Sequence, residues 1–180
     1  MFRFIPMSIP EVVAVETERF SDDRGYLYEH FKESSFKGSG LPFRFEQDLF
    51  SKSKKGIIRG LHYQTEPKGQ GKLVSVVTGR IFDVAVDIRR NSPSFGKWVS
   101  LELSEDNNKS VWIPKGFAHG FEALEDSIVL YKMTSEYSKD HSRGIIWNDP
   151  GLGIAWPSGP HPLLSDADRS WPGLTEAETY

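Results

Sequence analysis

GRIFDVAVDIRR, residues 79–90, is written in period two. Phe82, Val84, Val86 and Ile88 share one parity while Asp83, Ala85 and Asp87 share the other, the pattern of a β-strand with two unlike faces. Working outward, KLVSVVTG (72–79), KWVSLELS (97–104), SVWIP (110–114) and SIVLYKMTSEY (127–137) read as strands by the same test. Turn-forming text separates them: TGR at 78–80, RRNSPSFG at 89–96 and SEDNNKS at 104–110. Short strands at this spacing predict an all-β fold of sandwich or barrel type.

The 180 residues fit a single domain, 1–180, large enough to bury a substantial core. There is no fixed-period repeat, low-complexity tract or Gly/Ser linker. The basic run KSKK (52–55) reads as a solvated loop. From about Asp149 the text changes: DPGLGIAWPSGPHP is too rich in Pro and Gly for a regular element and is expected to wrap the body as extended chain. SDADRSW, from Ser165, then opens one short peripheral helix.

Composition narrows the function classes. Hydrophobic residues at 38% and charged residues at 26% are ordinary for a globular protein. A net charge of −3 argues against general nucleic-acid binding, which needs a basic footprint; a small anionic ligand needs only a few local cations. With no cysteine there is no disulfide framework, thiolate zinc site or cysteine nucleophile, which suits the cytoplasm. The segment MFRFIPMSIPEVVAVETERF carries charges too often for a secretory signal, and no run reaches the roughly 18 apolar residues of a membrane span. The protein is expected to be soluble and not attached to a membrane.

RGLHYQ, residues 59–64, places a histidine inside a stretch that otherwise reads as a buried strand. On a β-barrel a histidine suggests a metal, and metal-binding barrels of the cupin class offer His-x-His, then Glu, then a distant His, since a divalent ion needs three or four convergent ligands. Here His62 is followed by Tyr63 and Gln64, and Lys72 stands where an acid is needed; His119 is the only further candidate. An ammonium repels the ion, so no metal is expected. Lys72 shares parity with Val74 and Val76, and Tyr131 with Val129 and Met133, so both are expected on lumen-facing sides of their strands. Ser165 and Asp168 have the S-x-x-D spacing of a helix cap. Arg59 falls on the opposite parity to His62, so bringing both into one pocket requires a twist or bulge.

RGLHYQ, QGKLV, FDVAVDIR, SPSFGKW, WIPKGFAHGF, LYK and WNDP, together with DDRGY near the start, closely resemble the dTDP-4-dehydrorhamnose 3,5-epimerase family of metal-free cupins, in order from about residue 10 to about residue 170. The resemblance implies a cupin-type β-barrel or jelly roll, usually a homodimer, that binds a deoxythymidine diphospho-4-keto-6-deoxyhexose and inverts the carbons on either side of the ketone without a cofactor. It implies His62 as the base, Asp168 as the residue that orients it, Tyr131 as the acid across the sugar, and Lys72 as the group that steadies the enolate oxygen. Arg24 and Arg59 match positions that meet the nucleotide and substrate, and Glu29, Gln47, His119 and Tyr137 match lining positions. In a homodimer the extended FRFIP (2–6) is expected to add to a partner's sheet and Arg24 to serve the partner's site. Leu49, Glu136 and Ala167 depart from the family pattern, where Asn, a second aromatic and Lys are common. These departures leave open the sugar, and whether one carbon is inverted or both. Besides a single-carbon epimerase, a non-catalytic sugar-binding cupin is the alternative, marked by loss of His62, Tyr131 or Asp168; all three are present.

Overall fold

The computed structural model describes residues 1–159 and 162–180. Pro160 and His161, in the Pro/Gly-rich stretch after Asp149, lie outside the described residues. In chain order the elements are β1 (Phe2–Pro6), β2 (Val13–Thr17), β3 (Arg19–Asp22), β4 (Gly25–Tyr28), α1 (Glu33–Ser39), β5 (Gln47–Ser53), β6 (Ile58–Gln64), β7 (Lys72–Thr78), β8 (Arg80–Asp87), β9 (Trp98–Ser104), β10 (Lys109–Ile113), β11 (Phe117–Ala123), β12 (Ser127–Met133), β13 (Ser142–Gly144) and α2 (Asp166–Ser170). The named strands pair antiparallel as a six-stranded sheet, β1-β2-β10-β7-β12-β5, a five-stranded sheet, β13-β6-β11-β8-β9, and a separate hairpin, β3-β4. This is the all-β fold expected from the alternation, in the cupin-like jelly-roll form that the resemblance implies.

The faces of the central strands are accounted for by what covers them. Val74 and Val76 of β7, Val111 and Ile113 of β10, and Val129 and Met133 of β12 meet Ile81, Ala85, Leu103, Phe117 and Phe121 from the other sheet in one buried cluster. On β8 the more apolar parity does not face this inner core. Val84, Val86 and Ile88 lie on the outer side, packed under Ile145, Trp147, Leu152 and Trp156 of the C-terminal segment. The Pro/Gly-rich text therefore wraps the body as expected, and it does so because an apolar sheet face needs a cover.

The outer side of the six-stranded sheet is covered by α1, an element the sequence reading did not anticipate. Its single buried residue, Phe36, is 0% exposed and meets Phe2, Phe4 and Phe31 with ring centroids 5.7, 5.2 and 4.8 Å away. Burying such a side chain contributes roughly 1.5–3 kcal/mol, which outweighs the weak helix signal of ESSFKGS. One local expectation is corrected. KSKK is not all loop, since Lys52 and Ser53 end β5 and Lys54 pairs with Asp126 at 2.6 Å. FRFIP pairs with β2 of its own chain, because a tight turn, Met7 N–H to Val12 O at 2.9 Å, folds it back; β1 is left as the outermost strand of its sheet.

Candidate active site

Between the sheets lies a cavity of about 530 Å³ whose wall includes Gln47, Leu49 and Ser51 of β5, Arg59, His62 and Gln64 of β6, Lys72 of β7, His119 of β11, and Tyr131 of β12, with Tyr137, Asp168 and Trp171 beside them. Arg59 and His62 share it because β6 bulges. His119 pairs with His62, whereas Phe121, two residues on, pairs with Arg59, three residues back. The extra residue falls at Gly60–Leu61. Gly60 has φ of 136°, a conformation open to glycine. A Cβ there would lie 2.5 Å from Gly120 Cα, so the two strands approach each other where neither has a side chain.

His62 meets Asp168 at 2.5 Å, Nε2 to Oδ1. Asp168 is placed by the start of α2: Ser165 accepts its backbone N–H at 3.1 Å and donates its own hydroxyl to Oδ2 at 2.8 Å. The helix-cap reading and the histidine-partner reading of Asp168 thus hold together. Burial pushes the Asp168 carboxyl up, but the hydrogen bonds from His62 and Ser165 and the charge of His62 outweigh it, and the net shift is below the usual value. An ionised Asp168 can only accept, so Nε2 carries the proton and Nδ1 holds the lone pair. His62 is still 40% exposed along its side chain, whereas Asp168 is only 5% exposed.

Lys72 and Tyr131 come from the facing sheet. The Lys72 Nζ donates to His62 O at 3.4 Å, and burial pushes its pKa down to about 8, with Asp83 opposing the shift. Tyr131 is 8% exposed and its hydroxyl lies 3.2 Å from Ser51 Oγ. Burial raises its pKa far above the usual phenol value, Ser51 works against this, and Asp83 adds to it. His119, cross-strand to His62, is tied through Nε2 to Asp83 Oδ2 at 2.8 Å, both buried. Arg59 is held against β5, its Nε on Ser53 Oγ at 2.9 Å and an Nη on Lys52 O at 3.0 Å. Gln47 Oε1 accepts the backbone N–H of Tyr137 at 2.7 Å, with the Tyr137 ring exposed at the mouth.

Arg24 and Glu29 are not brought to this cavity. Arg24 sits at the tip of the β3–β4 hairpin, paired at 2.5 Å with Asp22 and 90% exposed along its side chain; Glu29 is exposed and pairs with Lys32 at 3.2 Å. The strands of the hairpin pair only with each other, and its hydrogen bonds to the body, from Arg19 to Glu105 O and Asp106 O at 3.2 and 2.7 Å, leave both residues outside the cavity lining.

Several contributors went unread in the sequence. Gln64, marked there only as a missing ligand, clasps the Tyr137 segment: its Nε2 donates to Lys68 O at 2.7 Å and Glu136 O at 3.3 Å, and its Oε1 accepts from Ser138 N–H at 2.7 Å. Both ends of the amide are taken by backbone groups of the wall. Among the described residues no group of three or more His, Cys, Asp and Glu side chains converges as metal ligands would. Trp171 packs edge-on to His62, 6.3 Å between ring centroids, over Gly144, where a Cβ would lie 2.5 Å from the indole. Glycine parity in a three-residue strand gives no warning of such a contact.

With this geometry in place, comparison with known proteins gives a consistent picture. A family model described as dTDP-4-dehydrorhamnose 3,5-epimerase matches residues 6–176. A dTDP-4-dehydrorhamnose 3,5-epimerase from Methanothermobacter thermautotrophicus is 47% identical over 182 residues, covering 99% of this chain and 98% of that protein. The crystal structure of dTDP-6-deoxy-D-glucose-3,5-epimerase from Legionella pneumophila, in complex with dTDP-4-keto-L-rhamnose, superposes with a TM-score of 0.94 at 44% identity, covering 98% of this chain and 94% of that one. A 3'-monoepimerase from Streptomyces bikiniensis, in complex with dTDP-quinovose, superposes with a TM-score of 0.90 at 36% identity, covering 95% and 87%. The chain belongs to the dTDP-4-dehydrorhamnose 3,5-epimerase family.

Proposed function

We propose that this protein is an isomerase that inverts the 3- and 5-carbons of a dTDP-bound 4-keto-6-deoxyhexose, converting dTDP-4-dehydro-6-deoxyglucose to dTDP-4-dehydrorhamnose without a cofactor. One observation carries the reading. His62, backed by Asp168, projects from β6 of one sheet, while Tyr131 and Lys72 project from β12 and β7 of the other, into the same cavity. A sugar ring held between the sheets has a base on one face and an acid on the other.

The chemistry follows from that placement. A hydrogen next to a ketone is removable when a base lies within hydrogen-bond reach and the forming enolate oxygen meets a cation or donor. The C–H bond breaks, its proton goes to Nδ1 of His62, and the electron pair moves onto the ketone oxygen, which Lys72 steadies as an ammonium. Tyr131 then gives its phenolic proton to the opposite face of the same carbon, the C=C electrons form the new C–H bond, and solvent re-protonates the tyrosine and takes the proton from His62. Asp168, kept ionised, stabilises the imidazolium in between. Arg59 serves the diphosphate, with Gln47, His119 and Tyr137 lining the site. A single-carbon epimerase is the second reading, favoured by Leu49: this apolar residue lies directly cross-strand from Tyr131 where the sugar must turn. Incubation with dTDP-4-keto-6-deoxyglucose in deuterated water, followed by proton NMR, is expected to show deuterium at both ring carbons flanking the ketone. Deuterium at one carbon selects the second reading, and at neither rejects both.

The working unit in this proposal is a homodimer in the cytoplasm. No helix among the described residues is long and apolar enough to cross a membrane. Phe20, Tyr26 and Leu27 on the β3–β4 hairpin and Leu49 and Phe50 on the edge strand β5 are exposed large hydrophobics, a concentration that favours a protein partner. Burying the hairpin in a second copy brings Arg24 and Glu29 to the partner's site, where the diphosphate needs a further cation. Light scattering at micromolar concentration is expected to give twice the chain mass of 20.4 kDa; a single-chain mass would count against the dimer.

A further inference from the structure

Asp83 has no part in the chemistry above, yet it is a carboxylate at 2% exposure on β8, an interior strand of the five-stranded sheet flanked by β11 and β9. It shares the inward parity of β8 with Ile81 and Ala85, so the strand carries an acid into a core that would otherwise be apolar. Acids are almost never fully buried unless paired. Its partner is His119, whose Nε2 it accepts through Oδ2 alone. Lys72, inward-facing on the other sheet, forms no ion pair with a carboxylate among the described residues. Its Nζ makes one long hydrogen bond, to a backbone carbonyl. The titratable and charged groups that line the cavity with it are Arg59, His62 and Tyr63 from β6, His119 from β11, Tyr131 from β12, Tyr137, and Asp168 from α2. Asp168 is the only anion in that set, and His62 and Ser165 occupy both its oxygens.

We infer that Asp83 is a positioning residue for the epimerisation: it fixes the ring of His119 and supplies the counter-charge for the Lys72 ammonium, so that the ketone oxygen meets a charged donor. The electrostatics agree in direction. Burial pushes Lys72 down to about 8 and Asp83 is the charge that works against it. The same anion adds to the upward shift that burial imposes on Tyr131, so one carboxylate helps keep both proton-bearing groups protonated.

The role given to Lys72 rests on the epimerase reading, so the test has an arm that needs no turnover. In protein labelled with ¹³C at lysine Cε, the Lys72 resonance is identified by its loss in Lys72→Met and titrated in wild type and in Asp83→Asn. Asparagine keeps an oxygen for His119 but no charge. The resonance is expected to titrate at least about one pH unit lower in Asp83→Asn, a tenfold change in its proton affinity. Activity requires the ammonium, which is present below the lysine pKa and lost as pH rises through it. The alkaline limb of kcat/KM is therefore expected to move to lower pH by the same amount, and Asp83→Glu to move it back. Asp83→Ser gives a second neutral variant should Asp83→Asn fail to fold. An unmoved Lys72 titration, or a uniform loss of activity with the limb in place, overturns the inference. Absence of deuterium incorporation by wild type overturns the epimerase reading instead and leaves the titration to decide the pairing of Asp83 with Lys72.

Discussion

His62→Ala is expected to lose both inversion and hydrogen exchange in deuterated water, each by the roughly 10² to 10⁴ of a positioned acid–base group. The two losses go together because no enolate forms without a base. The side chain is still 40% exposed, so its removal leaves little cavity and the variant should fold. Asp168→Asn separates the base from its support. The amide retains an oxygen for the Nε2–H of His62, but the negative charge that stabilises the imidazolium is gone; the backbone N–H of residue 168 still caps onto Ser165. Exchange and inversion should fall in proportion, by less than in His62→Ala, because the step is slowed rather than removed. Proton NMR of the ring hydrogens reads both quantities in one sample. Exchange at wild-type rate in His62→Ala would place the base elsewhere, and His119, cross-strand to His62, is then the residue to replace.

How far the sequence reaches depends on whether a signal is local. Strand alternation is local, so β7, β8, β9 and β10 were legible to within a residue or so, and KLVSVVTG and SIVLYKMTSEY correctly put Lys72 and Tyr131 on inward parities. Which face of β8 turns inward was not legible, because both are buried and the choice depends on a C-terminal cover some sixty residues away. The mismatch in parity between Arg59 and His62 was a usable anomaly. It demanded a bulge, and the bulge is there, at a glycine whose partner strand also has a glycine. Asp83, by contrast, looked like the polar face of an amphipathic strand, and only the fold shows it enclosed with His119. Helix α1 was missed because a single phenylalanine carries its packing and neither end announces itself, the N-cap Lys32 making no side-chain cap. Arg24 and Glu29 carry a family motif without local structure that aims them at the cavity, which is the pattern expected of residues that act across an interface.

Tyr131→Phe is expected to uncouple what His62→Ala loses together. The ring is retained, so the packing of a side chain at 8% exposure is unchanged, and the stability cost is the hydrogen bond to Ser51, roughly 0.5–1.5 kcal/mol. What disappears is the proton donor on the sheet opposite His62. The base can still take the ring hydrogen, exchange it with solvent and return a deuteron to the face it came from. Deuterium therefore enters the starting sugar without inversion, while inversion itself falls by about 10² or more. Exchange should slow as well, though less, because in the proposed mechanism the phenol's hydrogen also helps stabilise the developing enolate. Its strongly raised pKa, caused first by burial, means that the wild-type hydroxyl is protonated across the working range, so the uncoupling should not depend on pH below the alkaline limb set by Lys72. Inversion at wild-type rate in Tyr131→Phe would remove the acid from this strand. Loss of exchange to the level of His62→Ala would show that the two residues act in the same proton removal rather than on opposite faces of the sugar.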